Sequence, residues 1–312
     1  MSESDRYAVM GYPISHSKSP FIHAAFAQQT GQPIQYEAIE VLPGQFAQAV
    51  RTFRCDGGKG LNVTVPFKQE AYELAEIRST RAEQAGAVNT LWFNPEGQCI
   101  GDNTDGVGLV RDLLKNYHGR IEERRILILG AGGAVRGVLE LLLTAKPECC
   151  VIANRTIAKA QTLTNLFSRF GNVTASSYEG LINQSFDLII NGTSASLKGE
   201  LPPVPKGVLI RGGWCYDMMY SNTMTPFMEW ALAQGAAMVA DGLGMLVEQA
   251  AEAFYIWRGI MPNTASVIQQ LRTKQSGHSL PIRLSSAEIG GPAGLEPTRY
   301  GDWEKKGRCI DF

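Results

Sequence analysis

The sequence predicts an α/β fold with two domains and a C-terminal tail. Its 312 residues are enough for two domains that each bury a core of their own. Near the middle of the chain, an apolar run at 126–129 precedes Gly130-Ala131-Gly132-Gly133-Ala134 and a second apolar stretch at 135–143. This is the order of a strand, a glycine turn and a helix. Because short apolar runs alternate with helical patterns on both sides of this turn, we expect two α/β domains, the second of them Rossmann-like.

The residues before position 106 are predicted to form the first domain, over 1–105. Ser19-Pro20 is a typical helix start, with Ser19 as the N-cap and Pro20 in the first turn. Pro66-Phe67-Lys68 opens another helix directly after a strand at 60–65, and Asn94-Pro95-Glu96-Gly97 is the turn of a hairpin within 87–100. The remaining elements are strands at 7–11 and 34–41 and a helix from Gln45.

The residues from 106 to 240 are predicted to form the second domain, a doubly wound parallel sheet. Apolar runs place its strands near 126–129, 149–153, 186–191, 207–210 and 236–240. Two helices, at 245–257 and 264–273, are expected to pack back on the first domain as a C-terminal unit over 241–273. The rest, 276–312, is rich in glycine and proline and poor in apolar residues, so a flexible tail is predicted.

Composition excludes several classes of function. With 29 basic and 30 acidic side chains the chain has a net charge near −1, so we expect no nucleic acid as a partner. No apolar run is long enough to span a membrane, and the first residues lack a signal-peptide pattern. The six cysteines and four histidines are scattered, so neither a disulfide framework nor a metal site is predicted. We expect a cytoplasmic protein, monomer or homodimer, that acts on a small molecule.

The glycine turn is predicted to bind the pyrophosphate of a dinucleotide. Gly130, Ala131, Gly132, Gly133 and Ala134 let backbone N–H groups and the positive end of a helix approach the phosphates. Similar turns occur in many α/β folds, so the next strand must decide the ligand. It ends in Asn154-Arg155-Thr156, with Lys159 a turn later, where an NAD-binding chain would carry an acidic residue. This favours NADP over NAD.

A nicotinamide reductase that acts on a ketone needs a proton donor beside the carbonyl oxygen. Lys68 is the candidate, because it starts a helix at the carboxyl end of a strand, where open α/β sheets build their sites. Asp105 is its predicted partner, in the polar run Gly101-Asp102-Asn103-Thr104-Asp105-Gly106. The carboxylate favours a charged lysine and burial opposes it, and the sequence does not decide between them.

Other polar residues have two readings each. Ser15 and Ser17 lie just before a helix start, where hydroxyls suit either a ligand carboxylate or ordinary capping. His16, between them, is either a ligand contact or a surface histidine. Three neutral polar residues lie inside apolar segments and bond either a substrate or the backbone, namely Thr64, Asn89 and Gln249.

With these motifs in view, residues 5–273 resemble the shikimate dehydrogenase family. The resemblance rests on eight motifs in order: Ser15-His16-Ser17-Lys18-Ser19-Pro20, Asn62-Val63-Thr64-Val65-Pro66-Phe67-Lys68, Gly86-Ala87-Val88-Asn89-Thr90, Gly101-Asp102-Asn103-Thr104-Asp105-Gly106, 130–134, Asn154-Arg155-Thr156, Tyr216-Asp217-Met218 and Asp241-Gly242-Leu243-Gly244-Met245. It implies the reversible, NADPH-dependent reduction of 3-dehydroshikimate to shikimate between the two domains.

The same resemblance implies roles for individual residues. Lys68 becomes the acid–base residue with Asp105 as its partner, and Ser15 and Ser17 hold the substrate carboxylate. The residues implied to bind the substrate hydroxyls are Thr64, Asn89, Asp105, Tyr220 and Gln249. For the cofactor, the resemblance implies that the turn 130–134 binds the pyrophosphate. The residues implied to bind the 2′-phosphate are Asn154, Arg155, Thr156 and Lys159. Those implied to line the nicotinamide are Thr193, Met218, Gly242 and Met245.

The last residues, from Gly290 to Phe312, resemble another family, the small succinate dehydrogenase assembly factor four family. This implies a fused peptide that docks on the flavoprotein subunit of succinate dehydrogenase, and a tail without a role is the alternative. Two other functions remain open for the whole chain: an NAD-using quinate/shikimate dehydrogenase, and an assembly or binding protein that acts through its tail.

Overall fold

The computed structural model describes residues 4–274 and three short strands beyond them, 282–283, 303–305 and 308–310. The first part of the chain forms the strands β1 (Asp5–Gly11), β2 (Ile34–Glu40), β3 (Gly58–Val63), β4 (Ile77–Arg78), β5 (Thr90–Phe93) and β6 (Cys99–Asp102). Its helices are α1 (Ser19–Thr30), α2 (Phe46–Cys55), α3 (Lys68–Leu74) and α4 (Thr80–Ala85).

These six strands form one sheet in the order β2-β1-β3-β5-β6-β4. β1 is parallel to β2 and β3, whereas β5 is antiparallel to both β3 and β6. The carboxyl ends of β1, β3 and β6 and the amino end of β5 therefore lie along the same edge of the sheet. The segments that follow β1, β3 and β6 and the one that precedes β5 meet at this edge.

The second part begins with α5 (Asp105–Arg111), which continues as a π-helical turn over Asp112–Asn116. Its strands are β7 (Arg125–Leu129), β8 (Cys149–Ala153), β9 (Val173–Ser176), β10 (Phe186–Asn191), β11 (Leu209–Asp217), β12 (Met238–Asp241) and β13 (Ile282–Arg283). Its helices are α6 (Gly133–Thr144), α7 (Ile157–Phe167), α8 (Pro226–Ala233), α9 (Leu243–Arg258) and α10 (Thr264–Lys274).

The second sheet has the order β13-β12-β11-β10-β7-β8-β9. All its pairs are parallel except β12 with β13, and buried apolar side chains cover both faces, as in doubly wound folds. The predicted fold class of two α/β domains with a Rossmann-like second sheet is confirmed.

Two features of the second sheet differ from the sequence prediction. β9, an edge strand, was not expected, because only one of its four residues is buried and it lacks an apolar run. β11 was predicted at 207–210 but extends to Asp217. Leu209 of β11 pairs with Phe186 and Trp214 pairs with Leu188. Residues 210–213 therefore form a bulge, which interrupts the alternation of apolar residues that predicts a strand.

The two C-terminal helices pack on the first part of the chain. Leu243, Val247 and Phe254 of α9 form one buried cluster with Ile22 and Phe26 of α1, and α10 adds Val267 and Leu271. The predicted flexible tail at 276–312 lies largely outside the described residues. Within it, β14 (Trp303–Lys305) and β15 (Arg308–Ile310) pair as an antiparallel hairpin.

Among the described residues, none of the helices combines the length and the apolar character needed to cross a membrane.

Candidate active site

A lysine and an aspartate meet at the edge of the first sheet. Lys68 is the first residue of α3, which follows β3, and Asp105 is the first residue of α5, which follows β6. Lys68 Nζ donates to Asp105 Oδ2 at 2.6 Å, and the side chains are 30% and 11% exposed, respectively. The lysine is therefore held by the carboxylate while part of its surface stays exposed.

The second oxygen of Asp105 is fixed by a buried amide. Asn89, just before β5, donates from Nδ2 to Asp105 Oδ1 at 2.8 Å, and its Oδ1 accepts the backbone N–H of Thr104 at 3.0 Å. Gln249 of α9 joins this cluster, with its Oε1 3.3 Å from both Asn89 Nδ2 and Thr104 Oγ1. The cluster holds Asp105 in one orientation and brings a residue from the far end of the chain to the site.

Thr104 is a member of this cluster that the sequence did not single out. Its hydroxyl is fully buried and lies within hydrogen-bond distance of both Asn89 and Gln249. The signal was present, since Thr104 stands in the polar run at 101–106, but a threonine in such a run is equally suited to a turn.

The two serines and Thr64 lie along the same edge but are not bonded to this cluster in the described part of the chain. Ser15 is exposed, and Ser17 is half-buried and accepts the N–H of Ser19, the first residue of α1, at 3.3 Å. Thr64 follows β3 and lies beside Gly11. A Cβ on Gly11 would lie only 2.5 Å from the Thr64 methyl group, so the contact requires glycine at position 11. Ser17 and Thr64 thus belong to the segments after the neighbouring strands β1 and β3.

Tyr220 connects the second part of the chain to the serine segment. It follows β11, and the Lys18 ammonium lies 5.9 Å from the centre of its ring. Burial raises the pKa of the Tyr220 phenol, so its hydroxyl stays protonated at neutral pH and can donate a hydrogen bond.

The glycine turn between β7 and α6 leaves open space above its backbone. Gly130 has φ +101°, a conformation that favours glycine, and Gly132 and Gly133 are exposed. A Cβ built on either of the latter two would have no neighbour within 4 Å, and α6 begins without a side-chain cap. Its first N–H groups are free to bind an anion, so the turn fits a pyrophosphate.

The segment after β8 offers a second anion site. Arg155, Thr156 and Lys159 are exposed at the start of α7, and Asn154 Nδ2 donates to the backbone oxygen of Thr156 at 2.9 Å. Neither Arg155 nor Lys159 forms an ion pair with another of the residues that the structure describes. Two unpaired cations beside a helix N-terminus suit a phosphate monoester.

Of the four residues predicted at the nicotinamide end, Thr193 lies against the glycine turn, Met218 and Gly242 lie against each other, and Met245 lies in α9. A Cβ on Gly130 would lie 3.1 Å from Thr193 Cγ2, and one on Gly192 would lie 3.2 Å from Met218 Sδ. Gly242 packs directly on the backbone of Met218, and Met245 packs through its carbonyl oxygen on Gly108. Thr193 is fixed because its N–H and hydroxyl both donate to Asn191 Oδ1.

The helix behind the glycine turn approaches the lysine–aspartate pair. A Cβ on Gly137, one turn into α6, would lie 3.4 Å from Asp105 Oδ2 and 3.5 Å from Asn103 Oδ1. Arg136 donates to the backbone oxygen of Gln84 in the first part of the chain at 3.1 Å. The helix that starts at the glycine turn therefore packs directly beside Asp105.

A glycine turn that fits a dinucleotide opens a helix that packs beside a paired lysine and carboxylate. This combination is typical of a nicotinamide-dependent oxidoreductase of two α/β domains. Three families match the chain: "Shikimate dehydrogenase substrate binding domain" over 9–91, "Shikimate / quinate 5-dehydrogenase" over 112–198 and "Shikimate 5'-dehydrogenase C-terminal domain" over 242–272. The chain belongs to the shikimate dehydrogenase family, as its motifs predicted.

Individual relatives agree with this assignment. The "Shikimate dehydrogenase (NADP(+))" of Nitrosococcus oceani is 57% identical over 268 residues, which cover 86% of this chain and 95% of that protein. The crystal structure of an Ael1 enzyme from Pseudomonas putida has a TM-score of 0.82 at 50% identity, covering 86% of this chain and 98% of that one. A Thermus thermophilus shikimate 5-dehydrogenase in complex with NADP(H) and shikimate has a TM-score of 0.77 at 31% identity, covering 87% and 99%.

The C-terminal residues match a different family. Residues 284–312 match one described as "Protein of unknown function (DUF1674)". The chain therefore carries a second family segment behind the dehydrogenase, and the predicted link of this segment to succinate dehydrogenase assembly remains a proposal.

Proposed function

We propose that this chain catalyses the reversible, NADPH-dependent reduction of 3-dehydroshikimate to shikimate. The observation that carries the proposal is the contact between Lys68 and Asp105 beside α6, the helix that starts at the glycine turn. The space between this pair and the turn is the proposed groove for substrate and cofactor. The relatives named as NADP-dependent shikimate dehydrogenases share more than half of their residues with this chain, which supports the substrate and the cofactor.

Lys68 is proposed to give and take the proton of the reaction. Bound NADPH supplies the hydride that reduces the carbonyl carbon. Lys68 donates a proton to the carbonyl oxygen as its negative charge develops, and in shikimate oxidation it accepts the proton of the hydroxyl. Asp105 orients the ammonium, and Asn89 in turn holds the carboxylate so that both groups face the groove.

The substrate is proposed to bind along the edge of the first sheet. Ser15 and Ser17 donate hydrogen bonds to its carboxylate from the segment after β1. The hydroxyl groups of the ring bind polar side chains from five other segments, which are Thr64, Asn89, Asp105, Tyr220 and Gln249. Since these groups come from both parts of the chain, the substrate position depends on how α9 and the loop after β11 meet the first sheet.

NADP is proposed to lie across the carboxyl edge of the second sheet. The turn 130–134 binds the pyrophosphate through free N–H groups at the start of α6. Asn154, Arg155, Thr156 and Lys159 bind the 2′-phosphate, and each charge-assisted bond there contributes about 1.5–3 kcal/mol. Thr193, Met218, Gly242 and Met245 surround the nicotinamide.

The deciding assay follows NADPH formation from shikimate, with quinate and NAD⁺ as the matched alternatives. We expect shikimate with NADP⁺ to give the highest kcat/KM of the four combinations. A higher kcat/KM with quinate and NAD⁺ would assign the chain to catabolic quinate oxidation instead. No turnover with any pair would remove the proposed function.

A second function is proposed for the tail alone, because its family match is independent of the dehydrogenase. We propose that residues 284–312 dock on the flavoprotein subunit of succinate dehydrogenase. Tyr300, Trp303 and Phe312 stand among alternating charges, a composition suited to a linear binding motif. Titration of the purified flavoprotein subunit with the full chain and with a chain ending at Lys274 tests this. Binding by the full chain alone supports docking, and equal or absent binding contradicts it.

The proposed compartment is the reducing cytoplasm. Cys55, Cys99, Cys149, Cys150 and Cys215 are all free thiols, which suits such an environment.

A further inference from the structure

Asp112 is a fully buried carboxylate that the proposed reaction does not use. It is the first residue of the π-helical turn after α5. Its Oδ2 accepts the Tyr216 hydroxyl at 2.6 Å, and its Oδ1 accepts Asn116 Nδ2 at 2.8 Å. Burial raises the pKa of Asp112 to about 6, so at neutral pH the fold keeps a charged group where its charge is unfavourable.

The carboxylate lies directly against the first turn of α9. Any side chain on Gly244 would overlap the Asp112 carboxylate, so the contact requires glycine there. Gly242 precedes this turn, Met245 lies in it and Gln249 lies in the next turn, so Asp112 supports the part of α9 proposed to face both ligands.

Tyr216 links the same carboxylate to the nicotinamide end of β11. It lies on β11 two residues before Met218, and both side chains pack in one apolar cluster with Met245. Asp112 thus joins three elements at one point: the turn after α5, the end of β11 and the start of α9.

A polar network fixes this point from the other side. Asn116 Nδ2 also donates to Glu248 Oε1 at 3.1 Å, and the Thr264 hydroxyl donates to the same oxygen at 2.6 Å. Asp241, at the end of β12, accepts the N–H of Leu243 and pairs with Arg272 of α10. Both oxygens of Asp112 are thus bonded, and the network links the start of α9 to β11 and α10.

We propose that Asp112 is a positioning residue that holds the first turn of α9 against the end of β11, so that Met245 and Met218 enclose the nicotinamide and Gln249 reaches the substrate. This rests on the proposed function, since it assigns those residues to NADP and shikimate. Asp112 is 0% exposed, so it acts through its contacts with Gly244, Tyr216 and Asn116.

The two ends of the cofactor provide the test. The proposed site of the 2′-phosphate, at Arg155 and Lys159, follows β8 and is remote in the fold from α9. The proposed site of the nicotinamide includes Met245 of α9, so binding of the nicotinamide depends on the position of this helix. Adenosine 2′,5′-bisphosphate contains the first end only. We therefore compare the Kd of NADP⁺ with the Kd of this fragment by calorimetry, in the wild-type chain and in Asp112→Ala, Asp112→Asn and Glu252→Gln. Glu252 is the matched control, a buried carboxylate further along α9 that pairs with Arg81 and Arg111.

For Asp112→Ala we expect the Kd of NADP⁺ to rise about tenfold and that of the fragment less than about twofold, with a severalfold higher KM for shikimate. Asp112→Asn keeps hydrogen-bonding atoms and should restore NADP⁺ binding to within about threefold of wild type, and Glu252→Gln should leave the ratio of the two Kd values unchanged.

Equal losses for NADP⁺ and the fragment would overturn the proposal, because they indicate general damage to the fold, and unchanged NADP⁺ binding would overturn it as well. If Asp112→Ala does not fold, Tyr216→Phe removes the same bond from the other side and must shift the Kd ratio in the same direction. Failure of shikimate oxidation in the wild type would remove the proposed substrate, whereas the Kd ratio is measured without turnover.

Discussion

The Lys68 ammonium and the Asp105 carboxylate lie 2.6 Å apart, although 37 residues separate them in the chain. They meet because β3 and β6 run in the same direction in one sheet with β5 between them, so the helices that follow both strands begin at the same edge. The proposed acid–base function therefore depends on the topology of the sheet as much as on the two residues.

Lys68→Met should lower kcat for shikimate oxidation by at least about 100-fold, because the variant keeps the length of the side chain and loses the proton. KM for shikimate should change less. Steady-state kinetics measure both. Lys59→Met, which removes an exposed lysine of β3, is the control and should retain wild-type kcat. An unchanged kcat in Lys68→Met would remove Lys68 from the mechanism.

Arg155→Ala should raise the Kd of NADP⁺ by about tenfold to 150-fold, because a charge-assisted bond to the 2′-phosphate is lost. NAD⁺ lacks this phosphate, so its binding should stay the same. Arg211→Ala removes an exposed arginine from the bulge of β11 and serves as the control for charge. Equal weakening of both cofactors by Arg155→Ala would contradict the assignment of the 2′-phosphate site.

Gly132→Ser should separate stability from cofactor binding. The backbone of Gly132 is extended and has open space around it, so serine fits, and its hydroxyl can cap α6. We expect the free energy of unfolding to change by less than about 0.5 kcal/mol. The Kd of NADP⁺ should rise at least about tenfold, because the side chain occupies the space and the N–H groups of the pyrophosphate. Thermal unfolding and calorimetry measure the two effects, and unaltered NADP⁺ binding would place the phosphates elsewhere.

His23 should make the fold sensitive to acid. Its ring stacks on Tyr36 at 4.1 Å in the core, and burial lowers its pKa to about 3. In the unfolded chain the His23 ring is protonated near pH 6.5, whereas in the folded chain it stays neutral down to about pH 3. The free energy of unfolding is therefore unaffected by His23 above pH 6.5 and decreases as the pH falls towards 3, by about 3 kcal/mol at pH 4.5.

His23→Phe should remove this loss, which urea unfolding at pH 8 and pH 4.5 can measure. His118→Asn, at an exposed histidine with positive φ, should keep the wild-type dependence on pH. The same pH dependence in His23→Phe would assign the acid sensitivity to other groups.

A chain that ends at Lys274 should oxidise shikimate with a kcat within about twofold of the full chain, because every residue proposed to bind substrate or cofactor lies before this point. Steady-state kinetics on both chains provide the comparison. A loss of more than tenfold would show that the segment from residue 275 on takes part in the enzyme.

The fold class and the local signals of the site could be predicted from the sequence. The glycine turn, the basic segment at 154–159 and the polar run at 101–106 are each contiguous, so residue type and spacing reveal them. β9 and most of β11 could not be predicted in this way. β9 has a single buried residue, and the apolar pattern of β11 is interrupted by the bulge that contains Gly212 and Gly213.

The polar contacts that orient the site were beyond the reach of local patterns. Asn89 and Gln249 are 160 residues apart, and Asp112 and Tyr216 are 104 apart. Nothing near Asp112 in the sequence distinguishes it from a surface aspartate between a basic residue and two leucines. Such pairs are set by tertiary packing, and only the folded arrangement of α5, α9 and β11 identifies them.

The placement of α9 also restricts how this enzyme can be recombined with its relatives. The helix follows the last parallel strand of the second sheet, yet it buries Leu243, Val247 and Phe254 against α1 and carries Gln249 to the first sheet. An exchange of everything after residue 105 would replace the partner of α1 and mismatch that apolar surface. A chimera should therefore take only the segment between α5 and α9 from the donor, with one crossover on each side, and leave both helices with the host.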